Sequence, residues 1–379
     1  MPAGVFADPL LRWGPLVLLG GLVALFTCSR ILAAILPRAD DAIGARAVAY
    51  FIPIAAASLI SILLGRPEIA LGIVFGTSVG AMTTVVGFIA LAGHLDYGPA
   101  RWRRVWPFLL AAALLVFVAG FNGTFSWHHA LALFLEGLIL LSLWHDSSTT
   151  SNPTGDTTTT TVLDQAWHGE HPAQAPHTIP LNYATPPPAE SRKRPREGAG
   201  ILLAELSLIA ILLWLGSWAV TFGAIQSSQR LRGMSTSGIA GSVISLALVL
   251  PMMYGTWRRS AGQRGWAPLT TQIGVVLLNL CLLLPILILL PYIAAYVPQI
   301  SHWAGDAIAP RGGKVAPLLF PAPMWRIDNV VLIIMGVFLL PVAIGKWTLG
   351  REEGMVLIAG YFFYLTVTMA NAFAPISGR

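Results

Sequence analysis

The sequence predicts an all-α integral membrane protein, with ten transmembrane helices in two inverted five-helix repeats joined by a disordered linker. Three observations carry this expectation. Of 379 residues, 55% are hydrophobic and only 11% charged, with a mean hydropathy of +0.71; a soluble domain carries about 25% charged residues. Ten apolar runs approach the ~20 residues that a helix needs to cross a bilayer. A long polar stretch separates the first five runs from the last five.

Charges and turn residues bound each run. The first, 14–36, follows Arg12 and stops at Pro37-Arg38. It holds Cys28 in "VALFTC", close in wording to a lipoprotein signal, but Thr27 stands where Gly or Ala is needed, so the run reads as a retained span. The second, 47–64, lies between Arg46 and Arg66; the third, 69–93, follows Pro67-Glu68. Glu68 suits a helix N-terminus, where the helix dipole favours an acid. The fourth, 106–121, follows Arg101, Arg103 and Arg104, and the fifth, 127–144, ends before His145-Asp146. These make the first repeat, 1–145.

Residues 146–200 contain "SSTTSNPTGDTTTTT", "ATPPPAE" and "SRKRPREGAG". Ser, Thr and Pro without apolar periodicity predict disorder. The "RKRPR" run reads as a stop-transfer cluster, and the basic residues as a whole mark membrane orientation rather than nucleic-acid binding. His168, His171 and His177 lack further metal ligands in their segment. The second repeat, 201–379, then supplies runs at 201–222, 238–256, 268–293, 327–345 and 354–373. An odd number of spans per half inverts the halves, as in inverted-repeat transporters. Lys and Arg concentrate on the linker side, so the linker is expected in the cytoplasm and both termini outside a plasma (cell) membrane. The lipid bilayer is the expected partner. Cys28 and Cys281, both inside apolar runs, read as small packing residues.

The third run, "GRPEIALGIVFGTSVGAMTTVVG", places Gly72, Gly76, Thr77, Ser78, Gly80, Thr83, Thr84 and Gly87 where leucine would be expected. One reading is close helix packing through Gly-x-x-x-Gly, with hydroxyls bonded to carbonyls one turn back. The other is the lining of a substrate cavity.

This run resembles the third-span signature of the sodium/calcium and cation/proton exchanger superfamily. Gly65, Leu71, Gly72, Gly76, Val85 and Gly87 fall in register, with Thr77 at a serine position. A fainter copy, "RGWAPLTTQIGVVLLNLCLLLP", matches at Gly265, Leu269, Gly274 and Asn279, and the last two runs resemble the family's C-terminal pair. The resemblance implies a mid-membrane cation site with one Pro-Glu pair from each half. Here Pro53 is followed by Ile54, and Pro251 by Met252. The amide position of the first half is Ala81, whereas the second keeps Asn279. With both acids replaced, the usual tight Ca²⁺ site is not expected, since Ca²⁺ takes six to eight oxygens including carboxylates. Thr77, Ser78, Thr271 and Asn279 are the candidate lining residues for a monovalent cation or a proton-coupled solute.

Arg30, Glu136 and Glu205 lie inside runs, and intramembrane charge points to function by default. Glu136 and Arg30 are candidates for a proton relay or a charge pair, with a purely structural pair equally open. No nucleophile–base pair, phosphate loop, redox motif or cofactor motif is present, so catalysis is not expected. Two functions remain: alternating-access antiport of the exchanger type, or a non-transporting relative serving as an assembly partner or sensor.

Overall fold

A computed structural model describes residues 7–36, 42–92, 100–149, 199–230, 235–260, 266–296, 318–321, 325–344 and 346–373. The linker expected over 146–200 lies, for residues 150–198, outside the described residues, and the three linker histidines with it. The flanking helices reach four residues into it before and two after.

The described chain is almost entirely helical. α1 is Ala7–Ile35, α2 Ala42–Leu63, and α3 joins Pro67–Gly80 and Val86–Ala92 through a π-helical turn at Ala81–Val85. α4 is Ala100–Gly120 and α5 Trp127–Thr149. After the linker, α6 is Ala199–Arg230. α7 runs from Thr236–Ile239 through a π turn at Ala240–Ile244 into Ser245–Ser260. α8 joins Trp266–Leu278 and Leu284–Tyr296 through a π turn at Asn279–Leu283. α9 opens on a π turn, Trp325–Asn329, continues as Val330–Phe338 and ends in Leu340–Ala343; α10 is Arg351–Phe373.

Among the described residues, eight helices are long and apolar enough to cross a membrane, and α4 adds a shorter apolar stretch, Val105–Gly120. This is a multi-pass membrane protein. Its radial order follows from composition. The small-residue span of α3 is wholly enclosed, while only 22% of the α10 span is buried. Large apolar side chains such as Leu16 on α1, Leu135 on α5, Leu208 on α6 and Phe363 on α10 stay exposed, as lipid-facing residues must.

Packing recurs between the halves with the roles exchanged. α1 lies along α6; α3 packs on α7, and α8 packs on α2. The second segment of α3 meets α10, and the second segment of α8 meets α5.

The glycines of α3 are accounted for by these contacts. A Cβ on Gly72 would stand 2.8 Å from Ala240 Cβ, and one on Gly76 would stand 2.5 Å from the Gly241 carbonyl oxygen. Only glycine lets α3 and α7 approach so closely, which is the packing reading of the sequence. The hydroxyl reading holds for Thr83, which donates to Val79 O at 2.7 Å, but not for Thr84, whose buried Oγ1 has no hydrogen-bond partner.

One departure from an all-helical chain is a two-residue antiparallel pair, β1 (Thr124–Phe125) with β2 (Leu318–Leu319). Phe320 N donates to Gly123 O at 2.9 Å, and the Phe320 ring lies 4.6 Å from Phe125 and 5.2 Å from Phe75. The aromatic stack fastens the stretch preceding α9 onto the α4–α5 turn and onto α3.

Candidate functional site

The two long central helices are built alike. The π turn of α3 begins at Ala81, five residues after Gly76, and that of α8 begins at Asn279, five after Gly274. A π turn breaks the regular carbonyl ladder and is frequent at functional positions. α2 and α7 each carry an internal proline, Pro53 and Pro251, which removes one i→i−4 hydrogen bond.

Asn279 joins the two halves. Its Nδ2 donates to Thr77 Oγ1 at 3.2 Å and to Ser78 Oγ at 3.1 Å. Thr77 in turn donates to Ile73 O at 2.6 Å, and Ser78 to Val74 O at 2.7 Å. All three side chains are essentially inaccessible. The hydroxyls spend their hydrogens on carbonyls, so only a donor can face them; this orients the amide. Asn279 Oδ1 is then left buried without a partner. A hydroxyl carries two acceptor lone pairs and an amide oxygen two more. What the cluster has to spare is therefore acceptor capacity alone, suited to a cation or a proton donor.

Thr271 is also buried, but it sits eight residues earlier on α8, about 12 Å along the axis at ~1.5 Å per residue. Ile54 on α2 and Met252 on α7 each directly follow the helix proline and are fully buried in the main hydrophobic core. Among the described residues no group of three His, Cys, Asp or Glu side chains comes together as a metal site.

Residues 13–145 match the family model described as sodium/calcium exchanger protein. The fold is shared with the structure titled H+/Ca2+ exchanger CAX, at TM-score 0.62 and 12% identity, over 96% of this chain and 85% of that one. Native YfkE aligns at TM-score 0.60 and 12% identity, over 96% and 93%. The sodium-calcium exchanger NCX_Mj aligns at TM-score 0.54 and 16% identity, over 94% and 99%. No curated protein matches the sequence. Residues 13–145 are thus similar to sodium/calcium exchanger proteins, and the chain shares its fold with these exchanger structures.

Within this exchanger-type scaffold, the intramembrane charges take separate places. Arg30 and Glu136 do not pair. Arg30 projects from α1 over the Tyr254 ring of α7, 4.2 Å from its centroid, a cation–π contact. Glu136 is on α5, which packs on α4 and α8; the two helices face different neighbours, so the expected charge pair gives way. The Glu136 Oε1 is buried without a hydrogen bond, and the next residue, Gly137, packs against the Cys281 carbonyl in the α8 π turn. Glu136 thus abuts the turn that Asn279 opens. Glu205 is half-buried on α6. Glu68 stands in the first turn of α3, behind Pro67, accepting from Thr236 Oγ1 at 3.2 Å and lying 3.7 Å from Arg66.

Sequence reasoning missed a second buried polar group. Asp328 and Asn329, in the α9 π turn, are 4% and 0% exposed, and Tyr361 and Tyr364 on α10 are also buried. The signals were present: Asp-Asn opens an apolar run, and Tyr361, Tyr364 and Thr368 share one helical face. Asp328 lies at the edge of its run.

Proposed function

We propose that the protein is an alternating-access membrane antiporter of the exchanger type, moving an ion or ion-coupled solute without the family's usual tight Ca²⁺ site. In this reading its ten spans form two inverted five-helix repeats, with the linker cytoplasmic. The observation that carries it is the Asn279 bridge to Thr77 and Ser78, which joins the halves with unspent acceptor oxygens and no carboxylate. The exchanged packing and the matched π turns support the inverted repeats. The structures it resembles, an H+/Ca2+ exchanger and a sodium-calcium exchanger, support cation antiport. Three neutral oxygens fall short of the six to eight that Ca²⁺ takes, and an uncompensated double charge is costly to bury. A monovalent cation or a protonated solute suits the cluster better.

An ion-flux panel on purified protein in liposomes tests this. Uptake driven by a Na⁺, K⁺ or proton gradient is expected, with Ca²⁺ uptake saturating only at high concentration. Saturation by Ca²⁺ at micromolar levels would overturn the absence of a tight site.

One observation favours a second reading, a non-transporting assembly partner or sensor. Ile54 and Met252 are sealed in the core rather than lining a cavity. The double substitution Ile54→Glu/Met252→Glu separates the two. Recovery of Ca²⁺ binding, measured by calorimetry on monodisperse protein, is expected if the scaffold still opens there. Loss of folded protein in each single variant would mean that the region has been repacked as core.

A further inference from the structure

We propose that Asp328 forms a monovalent-cation site at the end of the bundle where α7 begins and α10 ends, separate from the Asn279 cluster. A cavity of about 50 Å³ opens there, lined by Ser235, Ser237, Asp328, Thr368 and Asn371 among others. Every side-chain group named can present oxygen. Asn371 donates one amide hydrogen to Val367 O at 2.9 Å, and its carbonyl oxygen is an acceptor. Ser235 caps α7 by accepting from Gly238 N at 3.1 Å, while its own N–H donates to Ala372 O at 3.0 Å, fixing the two helix ends together.

The surroundings of the carboxylate are polar yet incompletely paired. The Tyr364 hydroxyl lies between Asp328 and the Thr368 hydroxyl, but neither hydroxyl completes a hydrogen bond of standard geometry. Both amide atoms of Asn329, the next residue, are buried without partners, as is the Tyr361 hydroxyl. Buried polar atoms in native proteins are nearly all hydrogen-bonded, so this concentration of unmet polar atoms, most of them oxygens, marks a place for a ligand. An acid within a membrane domain is costly and points to an ion or proton pathway.

Charge selects the ligand class. No basic side chain lines the cavity among the described residues. The N-terminus of α7 supplies at most about half a positive charge, so one carboxylate is balanced by a single positive charge and over-compensated by two. The volume holds a small cation together with a few waters, each water needing roughly 10–15 Å³. Glu68, tied to Thr236 at 3.2 Å and paired with Arg66, stands at the same end of the bundle.

The experiment is ²²Na⁺ binding to the full-length protein in detergent, with gel filtration confirming folded protein. Saturable Na⁺ binding is expected. It should weaken at least tenfold in Asp328→Asn, and also in Thr368→Val, which keeps the acid and the side-chain shape. Absence of saturable Na⁺ binding in the unmodified protein overturns the site. So does binding that survives both substitutions but falls in Asn279→Ala, which would assign the ion to the central cluster.

Discussion

Asn279→Ala is expected to reduce flux in reconstituted vesicles at least tenfold, whichever ion of the panel proves to be carried. The reason lies in the donor count. Thr77 and Ser78 are committed to Ile73 O and Val74 O, so neither hydroxyl can turn toward the other half without breaking its own bond. The Asn279 amide is what links them to α8, and its Oδ1 is the cluster's unpartnered acceptor. Alanine removes the link and the acceptor together. Interhelical hydrogen bonds in membranes are worth only about 0.6 kcal/mol on average, and up to ~1.7, so the variant should still fold and the loss should be one of transport. Flux equal to the unmodified protein would remove Asn279 from the pathway. Thr77→Val provides the second reading of the same cluster, since it keeps the amide but withdraws one hydroxyl.

Gly76→Val is expected to give the largest loss of stability of any single substitution on α3. Its Cβ would lie 2.5 Å from the Gly241 carbonyl oxygen and closer still to Ser245. Backbone cannot rotate away as a side chain can. Ser245 would also have to leave Gly72 O and Ala240 O, to which it is bonded at 3.2 and 2.7 Å. Overpacking costs about 1–3 kcal/mol, and a buried carbonyl or hydroxyl left without a partner adds ~1–3 kcal/mol. Thermal midpoints from gel filtration after heating would measure this against Gly360→Val, where nothing lies within 4 Å of the new Cβ. Equal midpoints for the two variants would mean that α3 and α7 do not pack as described.

The spans were readable because hydropathy needs no tertiary information: a run of apolar residues between charges is a helix in lipid whatever surrounds it. The helix ends were less so. α1 begins at Ala7 and α6 continues to Arg230, since a helix can extend past the membrane once a neighbour covers it. The meeting of Asn279 with Thr77 and Ser78 was foreshadowed by the matched glycines, which set equivalent positions in the two halves. The π turns were not, because one extra residue per turn leaves the apolar pattern unchanged when every face is buried. Charge alone makes Arg30 and Glu136 candidates for a relay or a pair, and only the packing shows that Tyr254 is the guanidinium's neighbour. Asp328 needed the fold to reveal it, since its enclosure comes from α7 and α10, far away in sequence.

The burial of Cys28 and Cys281, 0% and 2% exposed, has a practical side. A thiol reacts as the thiolate and needs access, so maleimide reagents should leave the native chain unlabelled. A single cysteine introduced at exposed Glu352, in the first turn of α10, would then carry a fluorophore or spin label alone, without first stripping the natural thiols from the helices they help to pack.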